Sequence, residues 1–227
     1  KNYLGFVEVH IEQGPVLNEL NLPLGVVTSI NGSVRYLCSV DGMAAHAGTT
    51  PMNRRKDAAA AVAEMILAVE ARAGQDSDSV ATVGQLNVPS GSINVIPGSC
   101  QFSIDLRAPV NAQRDVLETD IVASLKAIAA KQGVNLTMDR ILAVSAAPSA
   151  PVWQARWERA VDLGRLNAQV GFRGLRPVAA GGPARDVEAV LHRVAVGGGH
   201  RLAAQCPLHE RRRHVDRVQR RRRHVGR

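Results

Sequence analysis

Asp57–Gly74 reads D-A-A-A-A-V-A-E-M-I-L-A-V-E-A-R-A-G. Alanine and the straight-chain residues are the strongest helix formers. Asp57 can accept hydrogen bonds from the first-turn amides, and Gly74 can end the helix. The stretch predicts a helix running to about Ala73, and what flanks it decides the fold. On the N-terminal side Val26–Val40 alternates around an Asn31-Gly32 turn signal, which fits either a hairpin or one long bent strand. On the other side Val80–Val88 and Cys100–Leu106 read as strands, joined by S-G-S-I-N-V-I-P-G. Asn111–Gln132 is a second amphipathic helix, with Val116, Leu117, Ile121, Leu125 and Ile128 near i, i+3/i+4 spacing and Gly133 as its stop. Val134–Val144 supplies a last strand. The order β-α-β-β-α-β is that of a ferredoxin-like sandwich, an α/β fold. Residues 148–165, with Trp153 and Trp157, read as a further helix, after which periodicity fades into Gly, Pro and Arg.

Composition bounds the rest. The 227 residues are 45% hydrophobic but only 3% aromatic, so the core has to be built from Ala, Val, Leu and Ile. The net charge of +8 is a property of one end. From Leu191 onward eleven arginines face only Glu210 and Asp216, which leaves residues 1–190 close to neutral. Cys38, Cys100 and Cys206 show neither metal-ligand spacing nor a disulfide framework, as suits a reducing compartment. With no apolar run near the ~20 residues that span a bilayer, and no signal-peptide pattern, a cytoplasmic protein is expected.

Four segments carry chemistry. In G-F-V-E-V-H-I-E-Q-G-P, residues 5–15, Val7, Val9 and Ile11 alternate with Glu8, His10 and Glu12. That is the pattern of a half-buried strand whose polar row ends at a turn. A solvated strand face is the simpler reading of the same residues. D-G-M-A-A-H-A-G-T-T-P-M, residues 41–52, sets His46 among small residues that let a ligand approach; a helix-capping turn histidine is the alternative. S-I-N-V-I-P-G contributes Asn94, which could equally be an ordinary turn residue before Pro97. F-S-I-D-L-R contributes Arg107, whose planar guanidinium suits bidentate capture of a carboxylate but also an ion pair with Asp105. R-R-K-D, residues 54–57, is accounted for by Asp57 as a helix cap behind a solvated basic flank.

In this order the four segments resemble the zinc-dependent amidohydrolases that include N-carbamoyl-L-amino acid hydrolases, allantoate amidohydrolases and β-ureidopropionases, relatives of the aminoacylases and dinuclear zinc exopeptidases. The resemblance implies a catalytic-domain strand segment at 1–24 and a ferredoxin-like lid or dimerisation domain at 25–146. It implies a partial return to an α/β zinc-exopeptidase-like catalytic domain at 147–190, and an Arg-rich tail at 191–227 that is disordered or read in a shifted frame. The fold so implied is that lid beside an incomplete catalytic domain whose N-terminal half is missing. The activity implied is hydrolysis of linear C–N amide bonds, releasing the amino acid, carbon dioxide and ammonia from an N-carbamoyl amino acid or related ureido acid. The cofactor implied is a pair of divalent metals, zinc first, with manganese, cobalt or nickel as alternatives. His10 matches a metal ligand. Gln13, Asn94, Arg107 and Gly182 match substrate-binding positions. His46 matches the catalytic histidine that one subunit's lid lends to its partner in a homodimer.

The other ligands of the family have no counterpart here. A-A-G-G-P-A-R-D, residues 179–186, keeps only Gly181, Gly182 and Asp186 of a segment that elsewhere holds a histidine, and C-P-L-H-E around His209 fits the last ligand poorly. The chain alone is therefore expected to be inactive. A non-catalytic dimerisation module, or nucleic-acid and anion binding through the basic tail, stand as alternatives; neither a membrane nor a nucleic acid is the expected partner.

Overall fold

The computed structural model describes residues 8–163, 168–171, 175–178 and 189–192, with the backbone alone from 161 onward. The chain divides into Lys1–Ala195 and Val196–Arg227, and all described residues fall in the first unit. The predicted helix is present as Ala58–Ala73. Asp57 Oδ1 accepts from the amides of Ala59 and Ala60 at 3.0 and 3.1 Å, satisfying two donors that a helix start leaves unpaired.

The ferredoxin-like unit, expected to be a lid or dimerisation domain and for that reason termed the lid, is built from β1 (Gly32–Asp41), α1 (Ala58–Ala73), β2 (Val80–Thr82), β3 (Leu86–Asn87), β4 (Ser99–Ala108), α2 (Asn111–Gln132) and β5 (Asn135–Val144). Its antiparallel sheet runs β5-β1-β4-β2, with β3 continuing along the β2 edge of β4. Counting β2 and β3 as one interrupted strand gives the ferredoxin-like order. Both helices lie on one face. Val34, Tyr36, Cys38 and Val40 of β1 and Cys100, Phe102, Ile104 and Leu106 of β4 point inward against Val62, Met65 and Val69 of α1 and Leu117, Ile121 and Leu125 of α2. Aromatics contribute little, as the composition required. Each fully buried aliphatic side chain is worth roughly 1.5–3 kcal/mol.

Polar contacts fasten this layer at its margins. Arg72 of α1 reaches Asp120 of α2 at 2.8 Å, and Lys131 of α2 reaches Glu64 of α1 at 2.6 Å. Tyr36 donates to Glu118, which also takes a 3.2 Å bond from Arg140. Burial, then that carboxylate, pushes the Tyr36 hydroxyl up to about 12. A bulge between Arg140 and Leu142 leaves Ile141 exposed.

One predicted detail is corrected and one left open is decided. Val116, placed on the apolar stripe of α2, is 55% exposed, because the sheet-facing arc of that helix is narrower than the stripe. Of the two readings of the Asn31-Gly32 signal, the bent strand holds and the hairpin does not. Ser29–Ile30 pairs with Ala147–Pro148, while β1 pairs with β4 and β5. Glycine is needed at 32 for room, since a Cβ there would lie 2.7 Å from the Ala146 amide nitrogen. That two-strand neck is the root of the lid. Asn111 accepts from the Ala146 amide at 2.8 Å, and buried Arg114 donates to the Val144 carbonyl at 2.7 Å. Ser149 bonds the Val27 and Thr28 carbonyls at 2.7 and 2.8 Å.

Beyond the neck a second, mixed sheet has the order Glu8–His10, Ala189–His192, Leu24–Val26, Ala168–Gly171, Leu175–Val178. Pro151–Leu163 is helical, as predicted. No helix among the described residues is long and apolar enough to cross a membrane. Leu125→Ala, which empties space under α2 at a fully buried site, is expected to cost about 2–5 kcal/mol. Urea unfolding followed by circular dichroism measures this, and a midpoint equal to that of the unaltered chain contradicts the packing described.

Candidate functional site

His46 and Asn94 are brought together by the loops at one end of the β1–β4 ladder. The ladder closes at Asp41↔Ser99, and both loops then cross again: Ala45 pairs with Ile96 and His46 with Val95. The Ala47 amide continues to the Asn94 carbonyl at 3.0 Å. Two glycines permit this lacing. Gly42 donates to the Gly98 carbonyl at 2.8 Å, and a Cβ at Gly42 would fall 2.0 Å from the Lys56 carbonyl oxygen. A Cβ at Gly98 would lie 2.9 Å from Ala44. Both side chains are exposed. The Gly48 amide donates to His46 Nδ1 at 3.1 Å, and the Ser92 hydroxyl to Asn94 Oδ1 at 3.0 Å.

Arg55 braces the histidine loop. Its Nη2 donates to the Ala47 carbonyl at 2.7 Å and its Nε to the Thr50 carbonyl at 3.1 Å. The reading of residues 54–56 as a solvated flank is thus corrected for Arg55, which is half-buried under the loop it holds. No local pattern marks this, because the bonded carbonyls belong to residues five and eight positions earlier.

Arg107 lies elsewhere. It projects from the open face of the sheet, opposite Ser33 and beside the neck. Eight residues separate it from Ser99, about 26 Å of extended strand, and the His46–Asn94 pair follows after that end of the ladder. Arg107 grips Asp105 through Nε and Nη2 at 3.1 and 2.7 Å. Arg35 reaches the same carboxylate at 3.2 Å, as does the Ser33 hydroxyl. Burial opposes the Asp105 charge, but the Arg107 hydrogen bond, the two guanidinium charges and Ser33 outweigh it and hold the carboxyl below its ordinary range. Asp105 in turn raises Arg107. The trio carries a net positive charge and lines a cavity of about 860 Å³ together with Gln85, Ser103 and Ile141. Arg35 was not legible as a partner, because its place opposite Asp105 depends on strand register.

His10 and Gln13 lie outside the lid. Val9 and Ile11, expected to face inward, are 63% and 62% exposed, while His10 is half-buried. The strand lies at a sheet edge, paired with Ala189–His192, and the face that carries His10 is the more covered one. Glu12 is spent locally, its carboxylate accepting from the Val16 and Leu17 amides at 3.0 Å each. Gln13 holds a left-handed backbone at φ 56°, a strained conformation for a non-glycine residue. Gly182, Asp186, His209 and the arginine tail lie outside the described residues. Among the described residues no three of His, Cys, Asp and Glu gather into a group able to hold a metal. The described residues by themselves therefore do not make up the dinuclear centre that the resemblance implies.

Comparison with known proteins bears on this arrangement. Residues 28–133 match the peptidase dimerisation domain. An N-carbamoyl-L-amino acid amidohydrolase of Geobacillus stearothermophilus is 41% identical over 155 residues, 68% of this chain and 38% of that protein. An allantoate amidohydrolase of Bacillus subtilis (strain 168) is 38% identical over 144 residues, 63% of this chain and 35% of that protein. The crystal structure of a hydantoinase/carbamoylase family amidase from Burkholderia ambifaria superposes with a TM-score of 0.69 at 34% identity, over 80% of this chain and 45% of that one. The chain thus spans less than half the length of these relatives.

The Asp105 network sets a pH signature. A carboxyl held below its unfolded value stabilises the fold above about pH 4, and that contribution is lost as the pH falls through the lowered folded value. Asp105→Asn is expected to be less stable than the unaltered chain by a constant margin between about pH 5 and 8, narrowing below about pH 4. A margin that persists undiminished into strong acid, in urea titrations across pH, contradicts the assignment.

Proposed function

Residues 28–133 being a peptidase dimerisation domain, in a chain homologous over part of its length to N-carbamoyl-L-amino acid and allantoate amidohydrolases, we propose that it serves as the substrate-gripping lid of a homodimeric hydrolase of linear amide bonds. The substrate class is N-carbamoyl amino acids or related ureido acids.

The observation that carries this reading is the register that sets the two polar groups at opposite ends of the β1–β4 ladder. A small ureido acid cannot touch Arg107 and the His46–Asn94 pair of the same copy when a strand of about 26 Å lies between them. Two copies remove the difficulty. Arg107 of one lid, with Gln13, takes the substrate carboxylate. His46 and Asn94 of the other lid meet the carbonyl as negative charge develops on its oxygen, a contribution commonly near 3 kcal/mol per donor. Asn94 thereby leaves the carboxylate role expected of it and joins His46. Arg107 is already paired with Asp105, but Arg35 shares that carboxylate, so the trio retains one positive charge for an anion.

Metal chemistry is a separate matter. In the resembling enzymes it activates the attacking water, and His10 alone of the matched ligands lies among the described residues. The chain by itself is accordingly read as inactive. A reducing, cytoplasmic setting is part of the proposal: Cys38 and Cys100 are free and buried, and burial pushes the Cys38 thiol up to about 12, well away from reactivity.

Purified chain supplied with zinc or manganese and N-carbamoyl amino acids is expected to release no ammonia above the blank; measurable turnover overturns the inactive reading. Sedimentation equilibrium is expected to give twice the chain mass of 24.2 kDa. A strictly monomeric chain removes the second copy that the site requires.

A further inference from the structure

We propose that His46 works as a neutral hydrogen-bond donor, fixed as its Nε2–H tautomer by the Gly48 amide, with Arg55 as the positioning residue that holds the pair in register. The Gly48 N–H donates to Nδ1 at 3.1 Å, so Nδ1 must present its lone pair. A neutral imidazole carries a single proton, which is then on Nε2. The ring and the loop approach closely because residue 48 has no side chain. A Cβ there would sit 3.2 Å from His46 Cε1 and 3.5 Å from Nδ1.

An exposed histidine two residues from its partner would ordinarily sample several rotamers. Here the loop is cross-braced. The Thr50 amide returns to the His46 carbonyl at 3.1 Å, and the Ala47 amide is tied to the Asn94 carbonyl at 3.0 Å. Arg55 spans the Ala47 and Thr50 carbonyls with two donors of one rigid plane. Alongside, Asn94 Oδ1 is occupied by the Ser92 hydroxyl, which leaves its amide N–H groups for a ligand. The two side chains therefore offer donors of the same kind. They suit an acceptor oxygen, such as a carbonyl, a carboxylate or an oxyanion. This use rests on the reading of His46 as a ligand-facing group, whereas the tautomer itself does not.

Long-range ¹H–¹⁵N correlation of imidazole nitrogens in the full ¹⁵N-labelled chain, at a pH where the rings are neutral, tests it without any substrate. The His46 signals are identified by their loss in His46→Gln. The expected spectrum shows the Nε2–H pattern alone, with a scalar coupling across the hydrogen bond from the Gly48 amide to Nδ1. Arg55→Gln is expected to abolish that coupling and return the ring to the tautomer mixture of an unstructured histidine peptide. Arg55→Lys, which keeps the charge but cannot span both carbonyls, should do the same, with unmoved α1 and α2 amide signals reporting an intact fold. An Nδ1–H pattern, a free-peptide mixture or a missing coupling in the unaltered chain overturns the proposal, even if both variants fail to fold. An unchanged pattern in a folded Arg55→Gln overturns the role given to Arg55. Failure of the hydrolase reading would leave this spectrum as expected, so the two can be told apart.

Discussion

The unbroken pairing of Gly32–Asp41 with Ser99–Ala108 is the constraint on which the rest of the lid depends. Ten residues of each strand stand in register, from Gly32↔Ala108 to Asp41↔Ser99. Because side chains alternate across a sheet, that single register sends Val34, Tyr36, Cys38, Val40 and their β4 partners to the helices. A slip of one residue would turn one strand over, driving Arg35 into the core if β1 moved, or Asp105 and Arg107 if β4 did. The same register sets Arg35 against Asp105 and spaces the neck end of the sheet from its loop end.

Much of this was readable before the fold was known, and for physical reasons. Both lid helices carry local signals: Asp57 at one start, left-handed Gly133 at one stop, and repeating apolar positions between. Their limits follow from hydrogen-bonding rules that act over a few residues. The sheet order followed from counting elements, since few topologies accommodate β-α-β-β-α-β. The near absence of aromatics foretold an aliphatic core.

What was not readable depends on residues far apart in the chain. Arg55 looks like one of three solvated cations until the Ala47 and Thr50 carbonyls fold over it. Glu12 looks like part of a polar row until the Val16–Glu19 turn takes its carboxylate. The Val9 and Ile11 face was misjudged because alternation fixes which residues share a side but not which side is covered. Resemblance groups Asn94 with Arg107 as carboxylate holders, and only the strand register shows that they stand at opposite ends of one ladder.

That separation turns a set of matching motifs into an account of how the lid works. The sheet presents a cationic trio near its root and the His46–Asn94 pair near its tip, and on the reading proposed here a small ligand meets them only from two copies. Pulsed dipolar spectroscopy between nitroxides placed by Asn94→Cys and Arg107→Cys, in labelled chains diluted with unlabelled ones, measures it directly. The account predicts a single intrachain distance of about 25 Å or more. A distance below about 15 Å would bring the two groups into one site and contradict it.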